Sequence, residues 1–392
     1  MRKITSSKGT NAKGDAVVDL TSLIYALMVS FGLFGMDAVW NADTIRTEFM
    51  VAQSFEDSGT RREFATTAFA HEMRAVFSTE SLVKPPPVRS SADKSFVSIL
   101  ADSLGMQNAT AAFQDLFGLE PVTLMASLIA EGERRRIEVI GNAGRRGGFY
   151  VSLDAEPGEQ PVALIRRGAV ESAARLDPYH TALYLLDPPA GEPAVPRAQR
   201  ILDEAIAAHT GAPSRVHRAQ LRNLRGIASL LEGDTEAAAT LFEQAIADDV
   251  KLIPAHLNLA FVRVQQDRYD DAAMIARHIL RARGLADTPA LIASAHTILA
   301  SAAWAQERHA LAEEQFAAAV AAMPTVSDAY IYWGRLLTEL GRPEEGAAKA
   351  RLGEENLQAF ENYPEVALLY FWLAENRDPP LQRRARPSSA FR

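Results

Sequence analysis

The sequence predicts a mainly α protein: a helical-repeat α-solenoid, preceded by a small α+β domain and an N-terminal transmembrane helix. Three observations predict it. Small residues recur at near-constant spacing through the second half of the chain. Residues 41–166 instead show alternating apolar patterns and a glycine-rich hairpin signal. Near the start, the 17 residues from Leu20 to Met36 carry no charge.

The recurrence is clearest from Arg222 to Ala245. Gly226 is followed twelve positions later by Ala238, then by Phe242 and Ala245. Ala260 leads in the same way to Ala272, Ala276 and Ile279, and Ala300 to Ala312, Phe316 and Ala319. Gly334 leads to Gly346, Ala350 and Gly353. The leading residues lie 34, 40 and 34 positions apart. Small residues at a helix crossing let two backbones approach, and larger apolar residues fill the holes beside them. One such pair cannot bury its apolar face alone, so the pairs stack. The 40-residue interval implies about six extra residues, placed near 283–289 between helices.

This pattern resembles the tetratricopeptide (TPR) repeat, a 34-residue helix–turn–helix unit. The resemblance covers about 180–360. The family's usual Trp–Leu–Gly–Tyr set is reduced to Trp333 and Gly334, and its terminal Pro to Pro324. The resemblance implies a protein-binding role, with the first helix of each unit lining a concave groove. Carried over by position, the groove takes Asn223 and Ile227 from the first full repeat and Leu257, Asn258 and Phe261 from the second. It takes Thr297, Ser301 and Trp304 from the third, and Ile331, Tyr332 and Arg335 from the fourth. Aromatic and Arg side chains supply most of the energy at such surfaces. Phe261 and Trp304 read equally well as packing residues between repeats. The basic set that some family members use to grip a peptide's terminal carboxylate is not matched, because Ile227 and Ser294 stand where polar or basic groups are needed. Ala198, Leu202 and Ala205 read as the second helix of a degenerate first repeat. Residues 363–376 read as a capping helix, and the repeat domain spans 167–376. The basic tail, 377–392, is expected to be disordered.

The run from Leu20 to Met36 spans roughly 25 Å as a helix, the short end for a bilayer. Its eight strongly apolar residues contribute about −3 to −5 kcal/mol to insertion. Basic residues precede it in 1–15 and acidic ones follow, so the N-terminus is expected in the cytoplasm. A single-pass anchor over 16–40 is the favoured reading. A cleaved signal peptide and a buried helix compete with it. With an anchor, the bulk of the chain lies in the periplasm of a bacterium, tethered to the inner membrane, and the bilayer is a partner.

Residues 41–166 read as the small α+β domain. Residues 44–55 alternate, with Ile45, Thr47, Phe49 and Val51 on one face, which predicts a strand. Phe64, Ala68, Phe69, Met73, Val76 and Phe77 predict a helix over 60–77. Further helices are expected at 95–104 and 108–117. Pro121 suits the first turn of another, running to about Glu131. Residues 136–140 and 149–153 predict a hairpin around the Gly-rich run 141–148, with 162–165 as a third strand, in a mostly antiparallel sheet. In that run Arg145 and Arg146 replace the Lys-Ser/Thr of a phosphate loop, and a strand follows, so a hairpin loop is expected.

The sequence offers no catalytic constellation. It has no Cys, which excludes thiolate nucleophiles and Cys-based zinc sites. None of its eight His has a metal-type spacing to another, and no metal or cofactor is expected. Net charge is −8, with the positive charge gathered at the two ends, which argues against a nucleic-acid partner. The expectation is a non-enzymatic scaffold holding protein partners of an envelope assembly. The alternative is a soluble cytoplasmic TPR adaptor in which residues 20–36 form a core helix.

Overall fold

The structure is a computed structural model of the 392-residue chain. It describes residues 45–57, 59–79, 81, 83–84, 122–132, 134–143, 147–187, 193–208, 215–282 and 288–357. The run at 20–36, the helices expected at 95–104, 108–117 and 363–376, and the tail 377–392 lie outside the described residues. Among the described residues, no helix is long and apolar enough to cross a membrane. Two compact units divide the chain: 1–72 with 87–172, and 73–86 with 173–392.

The first unit contains a four-stranded sheet in the order β1 (Ile45–Val51), β2 (Val122–Glu131), β3 (Arg134–Asn142), β4 (Gly148–Asp154). β1 and β2 are parallel; the other two pairings are antiparallel. A short helix, α1 (Gln53–Asp57), follows β1, and α2 (Arg62–Phe77) follows it. Phe49 meets Phe69 of α2 edge to face at 5.8 Å. Leu124, Ala126, Leu128, Ile137 and Val139 bury the same face of the sheet. Helix α3 (Pro161–Leu176) approaches so closely at Gly168 that a Cβ there would lie 2.7 Å from Ile137 Cδ1. The other face carries an apolar row, with Met125 paired to Ile140 and Ile140 to Tyr150. These three side chains and the nearby Met50 are exposed.

Three expectations are corrected here. The segment from Pro121 to Glu131 is not a helix but β2. Val122, Leu124, Ala126 and Leu128 are buried while Thr123 and Met125 are exposed. The strand lies between two others, and its apolar run is too dense for periodicity to separate strand from helix. Residues 162–165 are not a strand but the first turn of α3. Pro161 opens that helix, and Leu164 and Ile165 are buried. Phe64, assigned to the buried face of α2, is exposed, and Ala65 is buried in its place.

The second unit is all-helical. α4 (Pro178–Leu186) and α5 (Val195–Ala208) precede four helix pairs. These are α6 (Arg215–Leu231) with α7 (Thr235–Asp248), and α8 (Ile253–Gln265) with α9 (Tyr269–Leu280). They continue as α10 (Pro289–Ala305) with α11 (His309–Ala322), and α12 (Ser327–Glu339) with α13 (Pro343–Leu357). Every spaced residue is buried except Ala350, which is half-buried. Gly226 lies against the Phe242 ring, and a Cβ on it would meet Cε1 at 2.5 Å. A Cβ on Gly334 would meet the Gly346 carbonyl at 2.6 Å. Small residues are thus required where the backbones cross.

The turn inside each pair is also repeated. Gly233, Asp267, Glu307 and Gly341 all have positive φ, at intervals of 34, 40 and 34 residues. After each, the next N–H returns to a carbonyl five residues back, as Asp234 N to Ser229 O at 2.9 Å and Arg308 N to Ala303 O at 2.9 Å. This is the Schellman closure of a helix C-terminus. The same position is Gly in two repeats and a strained acidic residue in two.

Candidate functional site

The first helices of the pairs, α6, α8, α10 and α12, carry all the residues assigned to the groove. Most of them are enclosed. Leu257, Asn258 and Thr297 have no exposed surface, and Asn223, Phe261, Ile227, Ile331, Tyr332 and Trp304 are buried. Ser301 and Arg335 are half-buried. Asn258 Nδ2 donates to Asn223 Oδ1 at 2.9 Å, joining the first helices of two successive repeats. Thr297 Oγ1 donates back to the Ala293 carbonyl at 2.9 Å. Trp304 and Tyr332 share one apolar cluster with Ala300, Ala303, Phe316 and Leu336. The Trp304 indole N–H donates to Glu339 Oε2 at 2.8 Å, again linking successive first helices.

Two of these residues, Trp304 and Arg335, also line an open cleft of about 840 Å³ between the last two pairs. Its walls come from the ends of α10 and α12, the start of α11, and the inner part of α13. Ala305, Gly334, Thr338, Gly346, Ala347 and Ala350 supply its small-residue floor and walls. Gly334 and Gly346 carry no side chain at their crossing, so α12 and α13 pack there on backbone.

Polar groups concentrate at the cleft. Arg335 Nη1 and His309 Nδ1 are shielded from solvent, and neither has a hydrogen-bond partner among the described residues. Glu339 and Glu307 stand at the exposed rim. Near Arg335, burial pushes the Tyr332 phenol up and the Asp328 carboxylate adds to this, while the Arg335 charge opposes both. Burial also pushes the Asp328 carboxyl up to about 6, against hydrogen bonds from backbone N–H groups.

His309, Glu339 and Ala347 were not among the residues expected in the groove. Positional carry-over places only the first helix of each unit on the binding face, and His309 and Ala347 sit on second helices. Among the described residues, no cluster of three His, Asp or Glu is placed to hold a metal ion.

The helix pairs, their fixed turn and their buried small-residue crossings define a TPR-like helical repeat fold. No family model matches the chain, and no curated protein matches it. Solved structures of MamA share partial likeness. MamA 41-end from Desulfovibrio magneticus RS-1 is 18% identical over 50% of this chain and 95% of its own, with a TM-score of 0.34. A MamA RS-1 double mutant is 20% identical over 42% of this chain and 86% of its own, with a TM-score of 0.33. MamA from AMB-1 is 18% identical over 50% and 98%, with a TM-score of 0.32. At these scores the repeat assignment stands on the chain's own spacing and turns.

Proposed function

We propose that this chain is a non-enzymatic protein-interaction scaffold whose repeats hold protein partners. We further propose that the run from Leu20 to Met36 anchors it in the bacterial inner membrane, with the repeats on the periplasmic side. The observation that carries the interaction reading is the cleft between the last two repeats. It is large enough for several side chains and is lined by Trp304 and Arg335. Pockets that bind other molecules share this make-up of apolar walls with few polar groups. The anchor reading is supported by the uncharged run and by the basic residues ahead of it.

A photo-crosslinking residue at Ala347, on the cleft wall, tests the interaction. Crosslinked protein is expected from position 347 in living cells and not from Met274, an exposed position on the second helix of another pair. Equal yields from both positions, or none from 347, sink the interaction reading. For the anchor, the chain should stay with membranes through an alkaline carbonate wash, and a periplasm-active reporter fused after Trp40 should be active. Release by the wash, with a reporter active only in the cytoplasm, favours the soluble adaptor.

A further inference from the structure

We propose that residues 108–117 of this same chain pack as an amphipathic helix on the outer face of the sheet, over Met125, Ile140 and Tyr150. The proposal concerns the sheet unit and stands apart from the reading of the repeats.

The sheet leaves one apolar surface open. Its inner face is filled: Phe49, Leu124, Ala126, Leu128 and Ile137 are at most 1% exposed. The outer face carries Met125, Ile140 and Tyr150 side by side on three neighbouring strands, each about half exposed. Met50, also exposed, carries the row onto β1, where its partner across the ladder is Ser127. With strands about 4.8 Å apart, the row runs about 14 Å across the sheet. Glu138 and Asn142 alternate with the inner residues on the same strand as Ile140 and give the row a polar rim. Single exposed apolar side chains need no explanation, but a continuous row with a polar rim marks a contact surface.

The chain itself supplies a cover. β1 and β2 are parallel, so the connection between them crosses a face of the sheet and cannot be a tight turn. Within that connection, residues 85–121 lie outside the described residues, and 87–121 belong to the same unit as the sheet. Ala109, Ala112, Phe113, Leu116 and Phe117 follow the spacing of one helix face, with Gln114 and Asp115 on the opposite side. Phe117 is five residues from Val122, a link that reaches at most about 18 Å. Met125 lies only about 10 Å along β2 from Val122, within that reach. The tether also decides between occupants. A short link holds its segment near the row at an effective concentration in the millimolar range, which a second copy or a foreign protein does not reach. The repeats, and not the sheet, are then the surface left for partners.

The test uses the full chain, purified in detergent. Because the sequence has no Cys, a pair of introduced Cys reads one contact cleanly. Ile140→Cys is combined in turn with Cys at 109, 112, 113, 114, 115 and 116, and each pair is oxidised mildly. A disulfide needs Cα atoms within about 7 Å, so intrachain bonds are expected from 109, 112, 113 or 116 and not from Gln114 or Asp115. The second measurement is cleavage by chymotrypsin after Phe113 and Phe117. Ile140→Glu should raise that rate about tenfold or more, because cleavage follows the population of the undocked form. Met274→Glu, at an exposed position on a helix of the other unit, should leave the rate within about twofold. Circular dichroism of each variant checks the fold.

Equal disulfide yields at 113 and 114, or no intrachain bond from any position, overturn the proposal. Disulfide-linked dimers of Ile140→Cys alone assign the row to a second copy and overturn it as well. So does an unchanged cleavage rate in Ile140→Glu. None of these results bears on crosslinking at position 347, so the scaffold reading stands or falls separately.

Discussion

At the scale of single residues, the repeated turn is the most informative feature. Glu307 holds φ 60, a conformation that an L side chain adopts at a cost, whereas Gly341 holds φ 79 at the matching place. Glu307→Gly is expected to raise stability by about 0.5–1 kcal/mol, and Gly341→Ala to lower it by about 1 kcal/mol. No heavy atom lies within 4 Å of a Cβ built on Gly341, so that loss is purely conformational. Urea denaturation of the two variants checks both signs, and a stabilised Gly341→Ala would refute the assignment. Asp328 gives a pH-dependent case. Its carboxyl is raised from 3.8 to about 6 by burial, so the folded state holds a proton that the unfolded state releases earlier. Stability contributed by this group therefore falls as pH rises from about 4 to about 6, and is level above that. Asp328→Asn should flatten that part of the melting-temperature profile. An unchanged slope would mean that the side chain is solvated.

At the scale of elements, close helix crossing is what the sequence made legible. Gly334 could be read directly because the Gly346 backbone leaves no room for a Cβ there, and Gly226 because the Phe242 ring fills that space. Gly226→Ala places a Cβ against Phe242 and should cost about 1–3 kcal/mol through overpacking. Phe242→Leu in the same chain should return part of it, and a simple sum of the two losses would show that the contact is not the cause. The Asn258–Asn223 bond joins neighbouring repeats inside the core. Asn258→Ala should cost about 1–3 kcal/mol, and a double-mutant cycle with Asn223→Ala should show coupling above about 0.5 kcal/mol. Polar links also recur between repeats at the surface. Gln266 Nε2 reaches Glu236 at 2.9 Å, and Gln306 Nε2 reaches Asp270 at 3.0 Å, each time from the end of a first helix to the first turn of the preceding second helix. What the sequence hid were elements of ambiguous period. β2 looked helical because Met125 on its exposed face joins the buried Val122, Leu124, Ala126 and Leu128 in one dense apolar run, and Pro161 marked a helix start where a short apolar run suggested a strand. His309 escaped notice because its place in the cleft depends on how two successive pairs stack, which no local pattern encodes.

At the scale of the whole molecule, the chain divides into a unit that holds the mixed sheet and a helical unit. The boundary is less simple than a single cut. Residues 73–86 belong with the helical unit although they precede most of the sheet. Val83 packs with Ala219, Ala245, Leu252 and Ala255. The Lys84 ammonium bonds Asp177, which also caps α4 by accepting from Tyr179 N and His180 N. Burial alone would raise the Asp177 carboxyl, but the neighbouring His180 and the Lys84 ammonium hold it well below the usual range.

That clasp has a kinetic consequence. Contacts within and between repeats join residues a few tens of positions apart, whereas Lys84 and Asp177 are 93 positions apart. Closing the longer loop costs more chain entropy, and contacts of high sequence separation form late. The helix pairs should therefore condense first, leaving a species with its early segment undocked and Asp177 without its cation. Lys84→Met should then speed unfolding while leaving the main refolding rate within about twofold, as expected for a contact absent from the transition state. Stopped-flow traces with equal slowing on the refolding limb would place the clasp in the nucleus instead. During synthesis the same order applies: a piece of the helical unit leaves the ribosome early and must wait, unpaired, for the residue that neutralises it.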